Sequence, residues 1–327
     1  MAGQVLKSID IVIPVFNEEE VFETLWKRLS DCFAPEPAAN HGLSSVRYIF
    51  VDDGSKDRTA QLVSEKIAAG ANATLVRLSR NFGHQSALTA GLDQSTADLV
   101  AVIDADLQDP PELILQMTKK LGEGFDVVYG ERRRRKGNPI KTFLYWAYYR
   151  ILRFLSDVEI PVDAGDFCVI TREVLLAIRT LPEKLRFSRG LRSWVGFRQT
   201  AFPYDRPRRA LGHTKYSLGK LYQLATDGIA SMSIQPLRVI QGTLFLSLFA
   251  TSLFVILALV QFFRQGHEDP MTFWFLAAYL LVGFTSSLQI ACLYIMAAYI
   301  GRTYLEVKSR PSYVVMEIVS PKDQTKS

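Results

Sequence analysis

Asp104-Ala105-Asp106 is the stretch of this 327-residue chain best suited to chemistry. An apolar run, Leu99-Val100-Ala101-Val102-Ile103, leads straight into two aspartates separated by one small residue. The run is short, lacks polar alternation and follows helix-like sequence, so it reads as a buried parallel strand. The aspartates then fall at its carboxyl end, where open α/β sheets bind ligands. Residues two apart in an extended segment point to the same side. Two carboxylates on one side, with no cation beside them in sequence, repel each other and invite a divalent cation. Oxygen ligands favour Mg2+ or Mn2+, and Mg2+ is commonly held by one or two carboxylates together with substrate phosphates. The competing reading is a solvated Asp-rich turn ahead of a helix that begins at Pro110-Pro111.

The elements that must position these aspartates follow from hydrophobic pattern and turn chemistry. Ile9-Asp10-Ile11-Val12-Ile13-Pro14 predicts a first strand, and Asn17 the cap of a helix with acids in its first turn. Residues 34–45 read as a loop. Tyr48-Ile49-Phe50-Val51 predicts a second strand that runs into Asp52-Asp53-Gly54-Ser55. Further helices are expected over 59–68, 86–93 and 111–121, with strands over 74–78 and 125–130. Asp163-Ala164-Gly165-Asp166-Phe167-Cys168-Val169-Ile170 reads as a loop entering another strand, and residues 172–181 as a short helix. Strands alternating with helices at this spacing predict an α/β fold with a mostly parallel sheet. The first, second and fourth strands end in acidic or polar loops, so their carboxyl ends share one edge, where a nucleotide would sit. No G-x-G-x-x-G and no G-x-x-x-x-G-K-[ST] occurs, which argues against a dinucleotide-binding fold or a P-loop.

The hydrophobic fraction, 48%, is unevenly spread, with the excess lying after Pro236. Val239 to Phe263 contains no ionisable residue, and Pro270 to Gly301 only tyrosines and one cysteine. Crossing a bilayer takes roughly 20 apolar residues, so the two spans predict a transmembrane hairpin. Lys215, Lys220 and Arg238 precede it, and Arg302, Lys308 and Arg310 follow it. The positive-inside rule then puts the globular domain and both chain ends in the cytoplasm, at an inner membrane. Residues 139–155 and 214–231 read as amphipathic helices in the membrane interface. The expected division is a catalytic domain over 1–235, a hairpin over 236–302 and a tail over 303–327. Within the tail, residues 310–319 alternate weakly and predict a strand, which must pair with the globular domain or with a neighbouring subunit. That need makes a homo-oligomer the expected state. The net charge of +5 is modest and the domain as a whole is not basic, so nucleic acid is not an expected partner. Cys32, Cys168 and Cys292 are widely spaced and suggest neither a disulfide framework nor a metal site. Met1 to Ser8 lacks an apolar core, so no secretory signal is expected there.

Three pieces stand in fixed order: Pro14-Val15-Phe16-Asn17-Glu18, Asp52-Asp53-Gly54-Ser55 and Asp104-Ala105-Asp106-Leu107-Gln108. Together they resemble the family 2 glycosyltransferases of GT-A fold. Asp163-Ala164-Gly165-Asp166-Phe167, Gly212-His213-Thr214-Lys215-Tyr216 and the C-terminal hairpin narrow the likeness. The chain is similar to polyprenyl-phosphate glycosyltransferases of the GtrB and dolichyl-phosphate mannose synthase type, nearer the bacterial GtrB branch. The similarity runs over essentially the whole chain, and it is the ordered set of motifs that is specific.

The resemblance implies a nucleotide-sugar donor, a UDP-sugar ahead of a GDP-sugar, and a polyprenyl phosphate acceptor such as undecaprenyl phosphate. Glucose from UDP-glucose is the leading expectation. Pro14, Val15, Asn17, Glu18 and Asp53 would hold base and ribose, and Asp104 and Ala105 would line the nucleotide. Asp106 and Gln108, with Asp104, would hold Mg2+ or Mn2+ against the diphosphate. Arg132, Arg209 and Lys215 are the expected contacts of the acceptor phosphate, and Asp166 the carboxylate nearest the reacting atoms. Two departures stand out. Cys168 occupies a place where many relatives carry arginine, and His213-Thr214 replaces a commoner Glu-Ser. Two rivals are weighed against this reading. A processive polysaccharide synthase would carry Gln-x-x-Arg-Trp, of which Gly190-Leu191-Arg192-Ser193-Trp194 is only a distant look-alike. A non-enzymatic membrane scaffold would have no need of the carboxylate pair.

Overall fold

The computed structural model describes residues 6–132, 164–184, 186–205, 235–265 and 271–321. The N-terminal part alternates β1 (Lys7–Val15), α1 (Glu19–Cys32), α2 (Pro35–Asn40), β2 (Leu43–Asp52), α3 (Thr59–Ala68), β3 (Ala73–Leu78), α4 (His84–Gln94), β4 (Leu99–Val102), α5 (Glu112–Leu121) and β5 (Val127–Arg132). It continues through β6 (Ala164–Thr171), α6 (Arg172–Thr180), α7 (Ser188–Trp194) and β7 (Gln199–Tyr204). Two long helices, α8 (Gln235–Gln265) and α9 (Met271–Val307), precede the last strand, β8 (Val315–Val319).

The strands form one sheet in the order β7-β5-β6-β4-β1-β2-β3-β8. The run β4-β1-β2-β3 is parallel, as is the β5–β7 pair, while β6 runs antiparallel to β4 and β5, and β8 antiparallel to β3. Strand faces alternate between two cores. Ile9, Ile11 and Ile13 of β1 and Leu99 and Ala101 of β4 pack with α1, α3 and α5, whereas Val12, Val100 and Val102 pack with α4 and α6. Covered on both faces, these strands have no polar side to display, which is why their sequences read as unbroken apolar runs. The apparent exception, Asp10 of β1, is buried but fully satisfied. Arg47 grips it through Nε at 2.8 Å and Nη2 at 2.6 Å, Ser95 Oγ donates at 2.7 Å, and the N–H groups of Thr96 and Ala97 complete the cage.

Several expectations need correction. Residues 34–45 are not a plain loop, because Pro35 opens the short helix α2 and β2 already begins at Leu43. A proline at the first helical position loses no hydrogen bond there. Asn17 does not cap α1; that place falls to Glu18. Asn17 instead sits at φ 52, and its Oδ1 accepts the Lys56 N–H at 2.8 Å, so it ties the loop after β1 to the loop after β2. The strand before the aspartates stops at Val102, with Leu107 in the left-handed region, so Asp104 and Asp106 lie on a turn. Neither β7 nor α7 stands out in the sequence as an element, yet β7 forms one edge of the sheet.

Helices α8 and α9 lie side by side, with Thr243 Oγ1 3.0 Å from Cys292 Sγ and the rings of Phe254 and Trp274 meeting edge to face at 6.1 Å. Within α9, Ala277–Val307 is long and apolar enough to cross a membrane, at a mean hydropathy of 1.8. The apolar part of α8 is the shorter Gly242–Leu257. The hairpin is thus carried fully by one helix among the described residues. The two expected interfacial helices, at 139–155 and 214–231, lie outside the described residues.

Candidate functional site

The carboxyl ends of β1, β2, β3 and β4 meet along one edge of the sheet, as parallel strands require. Their loops are laced together by short side chains. Ser55 Oγ accepts the Asn17 N–H at 2.9 Å, Thr59 Oγ1 accepts the Glu18 N–H at 2.9 Å, and Glu19 accepts the Arg58 N–H at 3.0 Å. Gly54 makes the turn after β2 possible. It sits at φ +73, and a Cβ there would lie 2.6 Å from the backbone carbon of Arg80. Only glycine tolerates both demands.

Asp53, on that turn, is buried and receives the backbone N–H groups of Phe82 at 2.7 Å and Gly83 at 2.9 Å. Burial pushes its carboxyl above the usual range, and the two N–H donors offset only part of that. Asp53 therefore fixes the start of α4, whose first residues are His84 and Gln85. The helix can lie close to the sheet because Gly91 faces it. A Cβ at Gly91 would stand 2.3 Å from Val12 Cγ1 and 2.9 Å from Val51 Cγ2.

At the head of α4 three charged groups converge. His84 Nε2 lies 3.6 Å from Asp104 Oδ1 and 3.5 Å from Asp166 Oδ2. Burial pulls the imidazole pKa down, but the two carboxylates outweigh it and raise the pKa to about 9. Asp166 is 5% exposed at its side chain and is gripped from two sides. Arg189 of α7 meets it as a fork, Nε to Oδ1 at 3.1 Å and Nη2 to Oδ2 at 3.3 Å, and Gln85 Nε2 donates at 3.2 Å. Burial alone would raise the Asp166 pKa, yet Arg189 and His84 hold the carboxyl far below the ordinary range. Asp104 goes the other way. Burial pushes it up, His84 offsets this, and the nearby carboxylates of Asp109, Asp166 and Asp106 push it further. Negative charge is thus crowded around Asp104 beyond what His84 neutralises, which suits an added cation. Asp106 folds its own turn, accepting the Gln108 N–H at 3.1 Å. Among the described residues no three His, Cys, Asp or Glu side chains close into a preformed metal cage. Two carboxylates with open positions for substrate phosphates is the donor set that Mg2+ ordinarily takes.

Arg132 is the last residue of β5. A Cβ on Gly165 would lie 3.0 Å from its Nη2, which places the guanidinium against the Gly165-Asp166 backbone. Burial lowers its pKa, but Tyr204 and the carboxylate of Asp109 outweigh this and raise it. The hydroxyl of Tyr204 in turn donates to Asp109 Oδ1. Arg132 Nε is buried without a hydrogen-bond partner among the described residues. Arg209 and Lys215 lie outside the described residues.

Pro14, Val15, Asn17 and Glu18 fall where β1 ends, and Ala105 and Gln108 on the turn between the aspartates and α5. His84, Gln85 and Arg189 were not singled out by the sequence, and Arg192 only within a distant look-alike of Gln-x-x-Arg-Trp. One signal pointed to the first two. Ser79-Arg80-Asn81-Phe82-Gly83 is a polar loop at the end of β3, on the same edge as the loops that were noticed. Nothing local marks Arg189. Arg192 resolves the puzzle of Cys168. This arginine, 3% exposed, donates to the Gly165 carbonyl at 3.4 Å, stands over the Tyr129 ring at 5.1 Å and reaches the buried Cys168 thiol. A cation therefore does stand beside Cys168, supplied from α7.

Residues 10–179 match the family described as glycosyl transferase family 2. Over 315 residues the chain is 40% identical to the uncharacterised glycosyltransferase YkcC of Bacillus subtilis (strain 168), covering 94% of this chain and 93% of that one. It is 34% identical over 315 residues to the bactoprenol glucosyl transferase of Shigella phage SfX, covering 94% of this chain and 98% of that one. Among solved structures, a mannosyltransferase of Pyrobaculum calidifontis in complex with GDP-Man and Mn2+ aligns over 93% of this chain and 76% of that one, at 14% identity and a TM-score of 0.43.

Proposed function

The chain belongs to glycosyl transferase family 2, and on that premise we propose that it transfers a hexose, glucose from UDP-glucose before other donors, to a polyprenyl phosphate such as undecaprenyl phosphate. The observation that carries the reading is the convergence of Asp104 and Asp166 on His84 at the carboxyl edge of the sheet. The near end-to-end likeness to a bactoprenol glucosyl transferase supports the choice of acceptor and sugar.

The acceptor nucleophile is a phosphate oxygen. A phosphate monoester has a second pKa of about 6 and is largely a dianion at neutral pH. The protein therefore needs no strong general base. Its task is to place two anions, acceptor phosphate and donor diphosphate, against one anomeric carbon. Arg132 suits the first, with a guanidinium kept charged by its neighbours and an Nε without a hydrogen-bond partner among the described residues. Arginine binds phosphate through a fork of charge-assisted contacts. Arg209 and Lys215 are its proposed companions. For the second, Asp104 and Asp106 with Gln108 would hold Mg2+ or Mn2+, whose charge would offset the negative charge on the departing nucleoside diphosphate.

Asp166, fixed by Arg189 and Gln85, is proposed to orient the donor sugar beside the reacting carbon. In-line attack inverts the configuration, so an α-linked donor gives a β-linked lipid phosphosugar. Pro14, Val15, Asn17, Glu18, Asp53 and Ala105 are proposed to line base and ribose. Asp53 already receives two backbone N–H groups, and each carboxylate oxygen keeps a second lone pair for a ring N–H of the base. The apolar helix α9, with α8 beside it as a second span, would anchor the domain at the cytoplasmic face of the membrane, both termini inside. The homo-oligomer expected from an unpartnered tail strand loses that reason, because β8 pairs with β3 of the same chain.

The experiment is a donor panel. Purified protein in detergent receives undecaprenyl phosphate, Mg2+ or Mn2+ and each of a set of radiolabelled UDP- and GDP-sugars. Label from UDP-glucose moving into the lipid fraction supports the proposal. A growing polymer, or free nucleotide without lipid product, refutes it.

A further inference from the structure

The last turn of α9 carries an acid, Glu306, and no base. A negative charge at a helix C-terminus opposes the helix dipole, so the helix itself gains nothing from it. The carboxylate is instead spent on a distant segment. Both of its oxygens face the backbone N–H of Lys184, at 3.2 and 3.0 Å. Lys184 belongs to the connection between α6 and α7, which leads directly into the site.

The described residues of that connection are braced. The Arg186 guanidinium donates through Nε to the Glu183 carbonyl at 3.3 Å and through Nη2 to the Leu181 carbonyl at 3.2 Å. Two residues on, the Ser188 N–H donates to Gln85 Oε1 at 2.9 Å. Gln85 uses its other end on Asp166, and Arg189, next in sequence, forks onto the same carboxylate. The amide of Gln85 can serve both partners only in one orientation, so a shift of Ser188 is felt at Asp166. The same end of α9 is also tied to the sheet. Ser309 closes the helix at φ 51, and β8 is then laid along β3, with the Ser79 N–H on the Val314 carbonyl at 2.9 Å and the Tyr313 hydroxyl on Asp93 at 2.8 Å.

We propose that Glu306 is a positioning residue, through which the long apolar helix sets the α6–α7 connection and thereby Gln85, Arg189 and Asp166. Docking of α9 and correct placement of the Asp166 carboxylate are then one event, so that the site is complete only when the helix is seated. The kinetic arm of the test rests on the proposed sugar transfer; the exchange arm does not.

The test uses the full chain in detergent micelles, as wild type, Glu306→Ala and Glu306→Gln. Glutamine keeps a carbonyl acceptor for the Lys184 N–H and serves as the rescue. Hydrogen–deuterium exchange is read at Lys184 and at Ser188. Alanine is expected to speed exchange at both by about fivefold or more, the low end of ordinary coupling between sites because Lys184 is solvent-exposed. Glutamine is expected to stay near wild type. With UDP-glucose and undecaprenyl phosphate, kcat should fall about fivefold in the alanine variant at unchanged KM for the donor. Faster exchange at Lys184 with none at Ser188 would overturn the proposal, whatever the kinetics show, because the tie would then be purely local. Faster exchange at Ser188 with unchanged kcat would overturn it as well. If wild type transfers no sugar from any donor, the function reading fails, and exchange at Ser188 alone decides the coupling.

Discussion

Replacing Asp166 with asparagine keeps the shape of the side chain and deletes its charge. In the native site the carboxylate takes a two-pronged contact from Arg189, at 3.1 and 3.3 Å, a third from Gln85 at 3.2 Å, and faces the His84 imidazole at 3.5 Å. Asparagine offers one carbonyl oxygen and one NH2. It cannot receive the fork, and its NH2 must point at a donor. Breaking a buried ion pair by removing one partner costs about 3–5 kcal/mol. Arg189 is 29% exposed, so water recovers part of that, and a loss of about 2–3 kcal/mol is the figure the geometry supports. Appearing wholly in the transition state, this would lower kcat about 30- to 150-fold, since roughly 1.4 kcal/mol is tenfold. The assay is the initial rate of lipid-linked sugar formation at saturating donor, with a thermal melt of the same samples. Asp166→Asn within threefold of wild type in rate, with an unshifted melt, would refute the reasoning. Asp166 would then neither position substrate nor brace α4 against α7.

Other outcomes follow from the same geometry. Gly91→Ala places a methyl 2.3 Å from Val12 Cγ1, so α4 must shift from the sheet. Overpacking of this kind costs about 1–3 kcal/mol, and a lower melting temperature together with reduced donor affinity is expected. Asp10→Asn removes one partner of a pair whose Arg47 is 30% exposed and should destabilise the domain by about 2–3 kcal/mol at neutral pH, read as a lower urea midpoint. Burial raises the Asp10 pKa, but Arg47, Ser95 and Thr96 outweigh it and bring the folded value below the ordinary one. Its contribution is therefore present above the unfolded carboxylate pKa and lost as pH falls through the folded one, so the gap between wild type and Asp10→Asn should narrow on acidification. A chain ending at Arg310 lacks β8 and bares the β3 edge, whose free backbone groups invite another strand. It should melt lower and associate on size exclusion; an unchanged melt and elution would show the edge needs no cover.

The sequence made the centre of the sheet legible because burial on both faces leaves runs such as Leu99 to Ile103 that nothing else explains. The position of Asp104 and Asp106 was legible for the same reason, since they stand where such a run ends. What stayed hidden depends on contacts made far along the chain. Arg189 meets Asp166 across 23 residues and carries no local signature, and Gln85 meets it across 81, marked only by the polar loop before it. Asn17 looks like a helix cap by type and position, but its side chain was drawn off by Lys56 of the neighbouring loop, a tertiary competitor that no local rule contains. Asp53 was read as a ligand residue from its motif, while the structure shows it bonded to the N–H groups of Phe82 and Gly83, where it braces α4. The segment 199–204 lacks a clean alternation because it is a half-buried edge strand, and it was passed over. The tail strand was legible as a strand, and its partner, the β3 edge, was not.

In the proposed reaction Asp104 and Asp106 serve a metal-assisted transfer of sugar onto a lipid phosphate. The most direct measurement is the transfer of radiolabelled glucose from UDP-glucose to undecaprenyl phosphate by the purified full chain. It is made with Mn2+, with EDTA, and with Asp106→Ala in Mn2+. Label is expected in the lipid fraction with Mn2+, to be lost in EDTA and recovered on adding metal back, and to be lost in Asp106→Ala despite a native melt. Equal transfer in all three would contradict the metal-assisted reaction.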